Sequence, residues 1–190
     1  MALFGVLALQ GDFAAHAAAL RRSGADVREV RRVGDLEGIR GLVLPGGEST
    51  ALLELMSDEP WFDALRSFHQ GGGALLGTCA GAILLAREVR QPAQPSLGLL
   101  DAVVERNAYG RQVDSFEAQI EAPSLGEPLR GVFIRAPRFA STGPSVDVVG
   151  RFADEPVLVR EGRVLAATFH PEIAAPQDDR LHRMLVDLAA

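Results

Sequence analysis

At 190 residues and 47% hydrophobic, the chain is long enough to bury one substantial core, and its net charge of −6 gives no reason to expect nucleic acid or an anionic membrane as partner. A single cysteine excludes an intramolecular disulfide and points to a reducing, cytoplasmic setting. All 19 basic residues other than histidine are arginine, so a phosphate-binding P-loop lysine and any Schiff base made by this chain are excluded as well.

The apolar start Met1–Leu9 lacks basic residues and runs straight into Gln10-Gly11-Asp12, so Phe4–Leu9 reads as a buried strand rather than a signal peptide. No apolar stretch approaches the roughly 20 residues that span a bilayer. An alanine-rich helix over Phe13–Arg22 and strands over Asp26–Val30 and Gly41–Leu44 follow. Pro45-Gly46-Gly47-Glu48-Ser49-Thr50 then opens a helix. Its glycines can turn backbone N–H groups toward an oxyanion and Glu48 can receive an ammonium group; the alternative is a plain turn with Ser49 as helix cap. Trp61–His69 is helical in period, with Pro60 at its first turn.

Ala74–Leu76 reads as a strand, Gly77-Thr78-Cys79-Ala80-Gly81 as a sharp turn, and Ala80 to about Arg87 as a helix. That arrangement is a nucleophile elbow, which lifts a thiol clear of the sheet edge at a helix N-terminus, where backbone N–H groups favour the sulfur anion. Taken alone, Cys79 is equally readable as a small buried hydrophobe. Polar Gln91–Ser96 is an exposed loop.

The second half consists of short strands separated by Gly and Pro: Val103–Glu105, Ser115–Ile120, Gly131–Ile134, Val146–Val149, Val157–Arg160 and Arg163–Thr168. A hairpin turn falls at Glu161-Gly162, and Leu181–Leu188 closes the chain as an amphipathic helix. The predicted architecture is one α/β domain over residues 1–190, a single-domain three-layer fold with a mostly parallel central sheet of flavodoxin-like type.

Just past the last of those strands, His170-Pro171-Glu172 supplies a base and a carboxylate to orient it. Alone this is a weak signal; beside a glycine-flanked cysteine elbow it becomes a triad. Arg106-Asn107-Ala108-Tyr109-Gly110-Arg111 and Phe133-Ile134-Arg135-Ala136-Pro137 set arginines beside strand ends, either as solvated surface residues or as forked donors for a free amino-acid carboxylate.

With these residues the chain resembles the class I, triad-type glutamine amidotransferases. Within them it is similar to the glutaminase subunits of pyridoxal 5′-phosphate synthases, on the runs Gly5–Gly11, Pro45–Thr50, Arg106–Glu117 and Phe133–Pro137. The resemblance implies hydrolysis of L-glutamine to glutamate and ammonia, with no metal or cofactor on this chain. Ammonia would pass to a separate, lysine-bearing barrel synthase in a large hetero-oligomer, which builds pyridoxal 5′-phosphate from ribose 5-phosphate and glyceraldehyde 3-phosphate.

It further implies Cys79 as nucleophile, His170 as base and later acid, and Glu172 as its orienting partner. Gly47, Glu48, Ser49, Arg106, Ile134 and Arg135 would form the glutamine pocket, Gly47 and Ala80 the oxyanion hole, and Gln10 and Gly46 an activation relay. Rival readings are a glutaminase feeding another ammonia acceptor, a noncatalytic binding module on the same fold, and a cysteine peptidase, to which the pocket arginines are poorly suited.

Overall fold

The computed structural model describes residues 2–106, 108, 115–174 and 177–190. In chain order the elements are β1 (Leu3–Leu7), α1 (Phe13–Arg22), β2 (Asp26–Val30), β3 (Gly41–Leu44), α2 (Ser49–Leu55), α3 (Trp61–Gln70), β4 (Ala74–Thr78), α4 (Ala80–Leu85), β5 (Ala86–Arg90) and β6 (Leu100–Glu105). There follow β7 (Phe116–Ile120), β8 (Leu129–Phe133), β9 (Arg138–Thr142), β10 (Asp147–Phe152), β11 (Glu155–Glu161), β12 (Val164–Ala167) and α5 (Arg180–Leu188).

Seven strands form the central sheet in the order β10-β11-β12-β4-β3-β1-β2. From β12 to β2 all neighbours are parallel, while β10, β11 and β12 pair antiparallel. The parallel strands are near-continuous apolar runs because both faces are covered. Their alternation sorts side chains into two cores. Leu42, Leu44, Leu75, Val164 and Ala166 pack with Leu52, Trp61, Leu65 and the residues of α4, whereas Val43, Ala74, Leu76, Leu165 and Ala167 pack against α1 and α5. This is the three-layer α/β fold with a mostly parallel sheet that the sequence predicts.

Three expectations are corrected. The first strand stops at Leu7, short of Leu9. The elbow helix ends at Leu85 rather than near Arg87, because Ala86–Arg90 leaves it to pair in parallel with β6. β9, which the pattern does not announce, completes a three-stranded sheet β5-β6-β9, while β7 and β8 form a separate two-stranded ribbon. Of the run Arg106–Glu117, residues 107 and 109–114 lie outside the described residues. Among the described residues no helix is long and apolar enough to cross a membrane.

Candidate active site

The elbow is set by how closely α4 lies on the sheet. A Cβ on Gly81 would overlap the carbonyl oxygen of Leu44, and one on Gly77 would meet the Gly81 backbone at 2.6 Å, so only glycine at both positions lets the helix seat against β3 and β4. The chain makes this turn at Cys79, with φ 47° and ψ −104°, a conformation that costs on the order of 1–3 kcal/mol in a non-glycine residue. The Cys79 N–H donates to Ala167 O at 2.8 Å, which ties the elbow to the end of β12. Cys79 as a residue is 6% exposed.

His170 and Glu172 follow β12 across the sheet from the elbow. The His170 N–H donates to Val132 O at 2.8 Å and the Val132 N–H returns a bond to His170 O at 3.3 Å, so the histidine is also held by β8. His170 Nδ1 lies 2.7 Å from Glu172 Oε1, and both residues are 8% exposed. Burial opposes a charge on His170, yet hydrogen bonds to the Cys79 sulfur and to Glu172, with the charges of both, push its pKa up to about 10. Burial likewise disfavours the Glu172 anion, but bonds and charge from His16 and His170 hold that carboxyl far below its ordinary range. An imidazole that holds its proton this firmly beside a sulfur is the partner a thiolate needs.

The loop between β3 and α2 lies against the His170 ring. A Cβ on Gly46 would overlap the His170 ring, and Gly47 adopts φ 140° with the Gln10 carboxamide where its Cβ would be. The Gly46 N–H donates to Thr78 Oγ1 at 3.0 Å, and the Glu48 N–H donates to Gln10 Oε1 at 3.2 Å. The helix cap is Glu48, not Ser49. Its carboxylate accepts from Thr50 N and Ala51 N, bonds that lower its pKa, while the Ser49 hydroxyl donates to Gln94 Oε1 at 2.9 Å. Gln94 thereby anchors the otherwise exposed loop Gln91–Ser96.

Arg106 joins the same cluster, its Nη2 3.1 Å from Thr50 Oγ1 and 3.5 Å from Glu48 Oε1. Ile134, 38% exposed, and Arg135, with φ 43°, arrive separately, on the exposed turn that leaves β8 two residues after Val132. Ala80, as first residue of α4, has an amide N–H with no intrahelical acceptor.

Two histidines escape sequence reasoning. His16 on α1 and His182 on α5 are both fully buried behind Glu172. Their one sequence signal is a polar residue on the buried stripe of its helix, beside Ala17 and Leu20 in α1 and beside Leu181 and Leu185 in α5. Among the described residues no group of side chains could hold a metal ion.

The model of the SNO glutamine amidotransferase family matches residues 6–189. The chain belongs to this family. It is 55% identical over 187 residues to pyridoxal 5′-phosphate synthase subunit PdxT of a Thermus thermophilus strain, covering 97% of this chain and 96% of that one. It is 52% identical over 190 residues to the PdxT subunit of Deinococcus radiodurans, with 97% and 96% covered. A crystal structure of a glutamine amidotransferase superposes with a TM-score of 0.90 at 52% identity, over 98% of both chains. PurLQS from Thermotoga maritima, at 16% identity and a TM-score of 0.73 over 100% of this chain and 99% of that one, shares the fold.

Proposed function

We propose that this chain is the glutaminase subunit of a pyridoxal 5′-phosphate synthase, making ammonia in the cytoplasm for a separate synthase subunit in vitamin B6 biosynthesis. The observation that carries the reading is the assembly of Cys79, His170 and Glu172 past the C-terminal ends of the neighbouring central strands β4 and β12, in a chain 55% identical to a named PdxT subunit.

L-Glutamine enters with its α-amino and α-carboxylate groups against Glu48, Ser49, Arg106, Ile134 and Arg135. The Cys79 sulfur attacks the side-chain amide carbon, and the N–H groups of Gly47 and Ala80 receive the oxyanion. His170, already carrying the proton, gives it to the departing nitrogen, and ammonia leaves behind a Cys79 thioester. Water then surrenders a proton to His170 and attacks the thioester, and glutamate departs as Cys79 and the imidazolium are restored. His170, having taken the Cys79 proton as base, thus returns it as acid to the departing nitrogen and acts again as base toward the water.

Ammonia passes to the synthase, whose lysines perform the imine chemistry that a lysine-free chain cannot. The switch to the active state lies at Gly46-Gly47, where Gln10 fills the space beside Gly47 and holds the Glu48 amide.

The test is ammonia release from L-glutamine by wild type and Cys79→Ala, each alone and with the synthase subunit and both sugar phosphates. Release that requires Cys79 and rises with the partner, together with pyridoxal 5′-phosphate formation, is expected. Folded protein releasing no ammonia under any condition would refute the enzyme and leave the binding-module reading.

A further inference from the structure

The oxygen of Glu172 that does not face His170 is the unusual atom of this site. Oε2 is buried and makes no hydrogen bond of regular geometry, and the polar atom facing it is His16 Nε2, at 3.4 Å. The same Nε2 lies 3.2 Å from Thr78 Oγ1, the hydroxyl that accepts the Gly46 N–H. On its other side His16 Nδ1 lies 2.8 Å from His182 Nε2, with the rings tilted at 49°.

One tautomer satisfies these contacts. A lone pair on His16 Nε2 would face the Glu172 carboxylate and be repelled, so Nε2 carries the proton. The ring is then neutral when Nδ1 accepts from His182 Nε2–H, which leaves His182 Nδ1 as an unpaired lone pair. The opposite assignment leaves a buried N–H without an acceptor, the rarer and costlier orphan. His182 Nδ1 is indeed buried without a partner. Burial is the main cause that keeps the His182 ring uncharged, against the pull of Glu172 and Asp179. Arg22, Glu172 and Asp179, with Thr78, are the polar groups that face the histidine pair among the described residues.

We propose that His16 is a positioning residue for the glutaminase site: through its Nε2–H it holds Glu172 by Oε2 and, by way of Thr78, the Gly46-Gly47 loop. One buried imidazole thereby ties the orientation of the triad carboxylate to the loop that offers the oxyanion the Gly47 N–H. The proposal rests on the triad reading above.

The test uses the glutaminase–synthase complex. His16→Leu is expected to lower kcat about 10- to 100-fold with KM for glutamine unchanged, and to move the acid limb of the kcat profile to higher pH, because Glu172 then protonates more readily. His16→Gln, whose amide N–H replaces Nε2–H, is expected to return both toward wild type. Thr78→Val, nearly isosteric, is expected to lower kcat and leave the acid limb in place. A loss of kcat in His16→Leu with an unmoved limb and no rescue by Gln marks packing alone and overturns the role.

Nitrogen-15 histidine spectra of the wild-type chain read the protonated nitrogen of His16 without any variant. Nε2 protonated is expected, and a bare Nε2 overturns the assignment even where His16→Leu does not fold. Wild-type kcat in His16→Leu, beside a Cys79→Ala complex that makes no ammonia, would refute the positioning role and leave the triad standing. Ammonia from Cys79→Ala would refute the triad itself.

Discussion

Val132 and His170 exchange both of their backbone hydrogen bonds, at 2.8 and 3.3 Å, so the triad histidine hangs on the β7–β8 ribbon as well as on the end of the central sheet. The nucleophile, by contrast, belongs wholly to the central sheet through β4 and α4. The geometry between them therefore depends on two separate supports, and the loop at Gly46 is the part squeezed between.

Gly46→Ala is expected to fold and to lose at least about 100-fold in kcat, since a Cβ there would displace the His170 ring by an ångström or more. Steady-state ammonia release by the complex, with a thermal melt as control, checks it. Wild-type activity would mean that the ring can yield without cost.

Gly81→Ala tests the seating of α4. Its Cβ would overlap a backbone oxygen of β3, which cannot swing aside, so a loss of about 1–3 kcal/mol in stability is expected by denaturant titration.

Glu48 has two tasks that can be separated. Glu48→Ser retains N-cap chemistry for α2 but removes the carboxylate beside Arg106. Its melting temperature is expected to stay close to wild type while KM for glutamine rises about tenfold or more; Glu48→Ala should in addition lose about 1 kcal/mol of stability. Unchanged KM in both variants would remove Glu48 from the pocket.

The cysteine elbow and the His-Pro-Glu run were legible because each is a local string whose chemistry depends on neighbours in sequence. The helix end at Leu85 was not. Ala80–Leu85 is buried all round, so it has no polar face to mark a period, and Ala86–Arg90 is a strand only because β6, ten residues further on, pairs with it. β9 buries Phe139 alone among five residues, too little to announce alternation. His16 and His182 meet across the α1–α5 packing, 166 residues apart in the chain, and nothing local reports that meeting. Ser49 reads as a cap by composition, yet Glu48 stands one residue earlier with a longer reach to the same N–H groups.

Stability should depend on pH in two opposite ways. His182 takes up a proton at about 3 when folded and near 6.5 when unfolded, so stability falls as pH drops below 6.5 toward 3, with Glu172 adding to the acid loss. His170 holds its proton to about 10 against 6.5, so its contribution is complete below 6.5 and is lost as pH rises through 10. Thermal melts between pH 4 and 10 are expected to fall at both ends. His182→Asn should flatten the acid side, and His170→Asn the alkaline side.

Cys79 is the sole thiol of the chain and is 6% exposed. Electrophile labelling of this protein therefore has a single address. A mass shift of one adduct reports occupancy of the catalytic position directly, and its rate measures how often that narrow opening admits a visitor, with no background from other sulfurs to subtract.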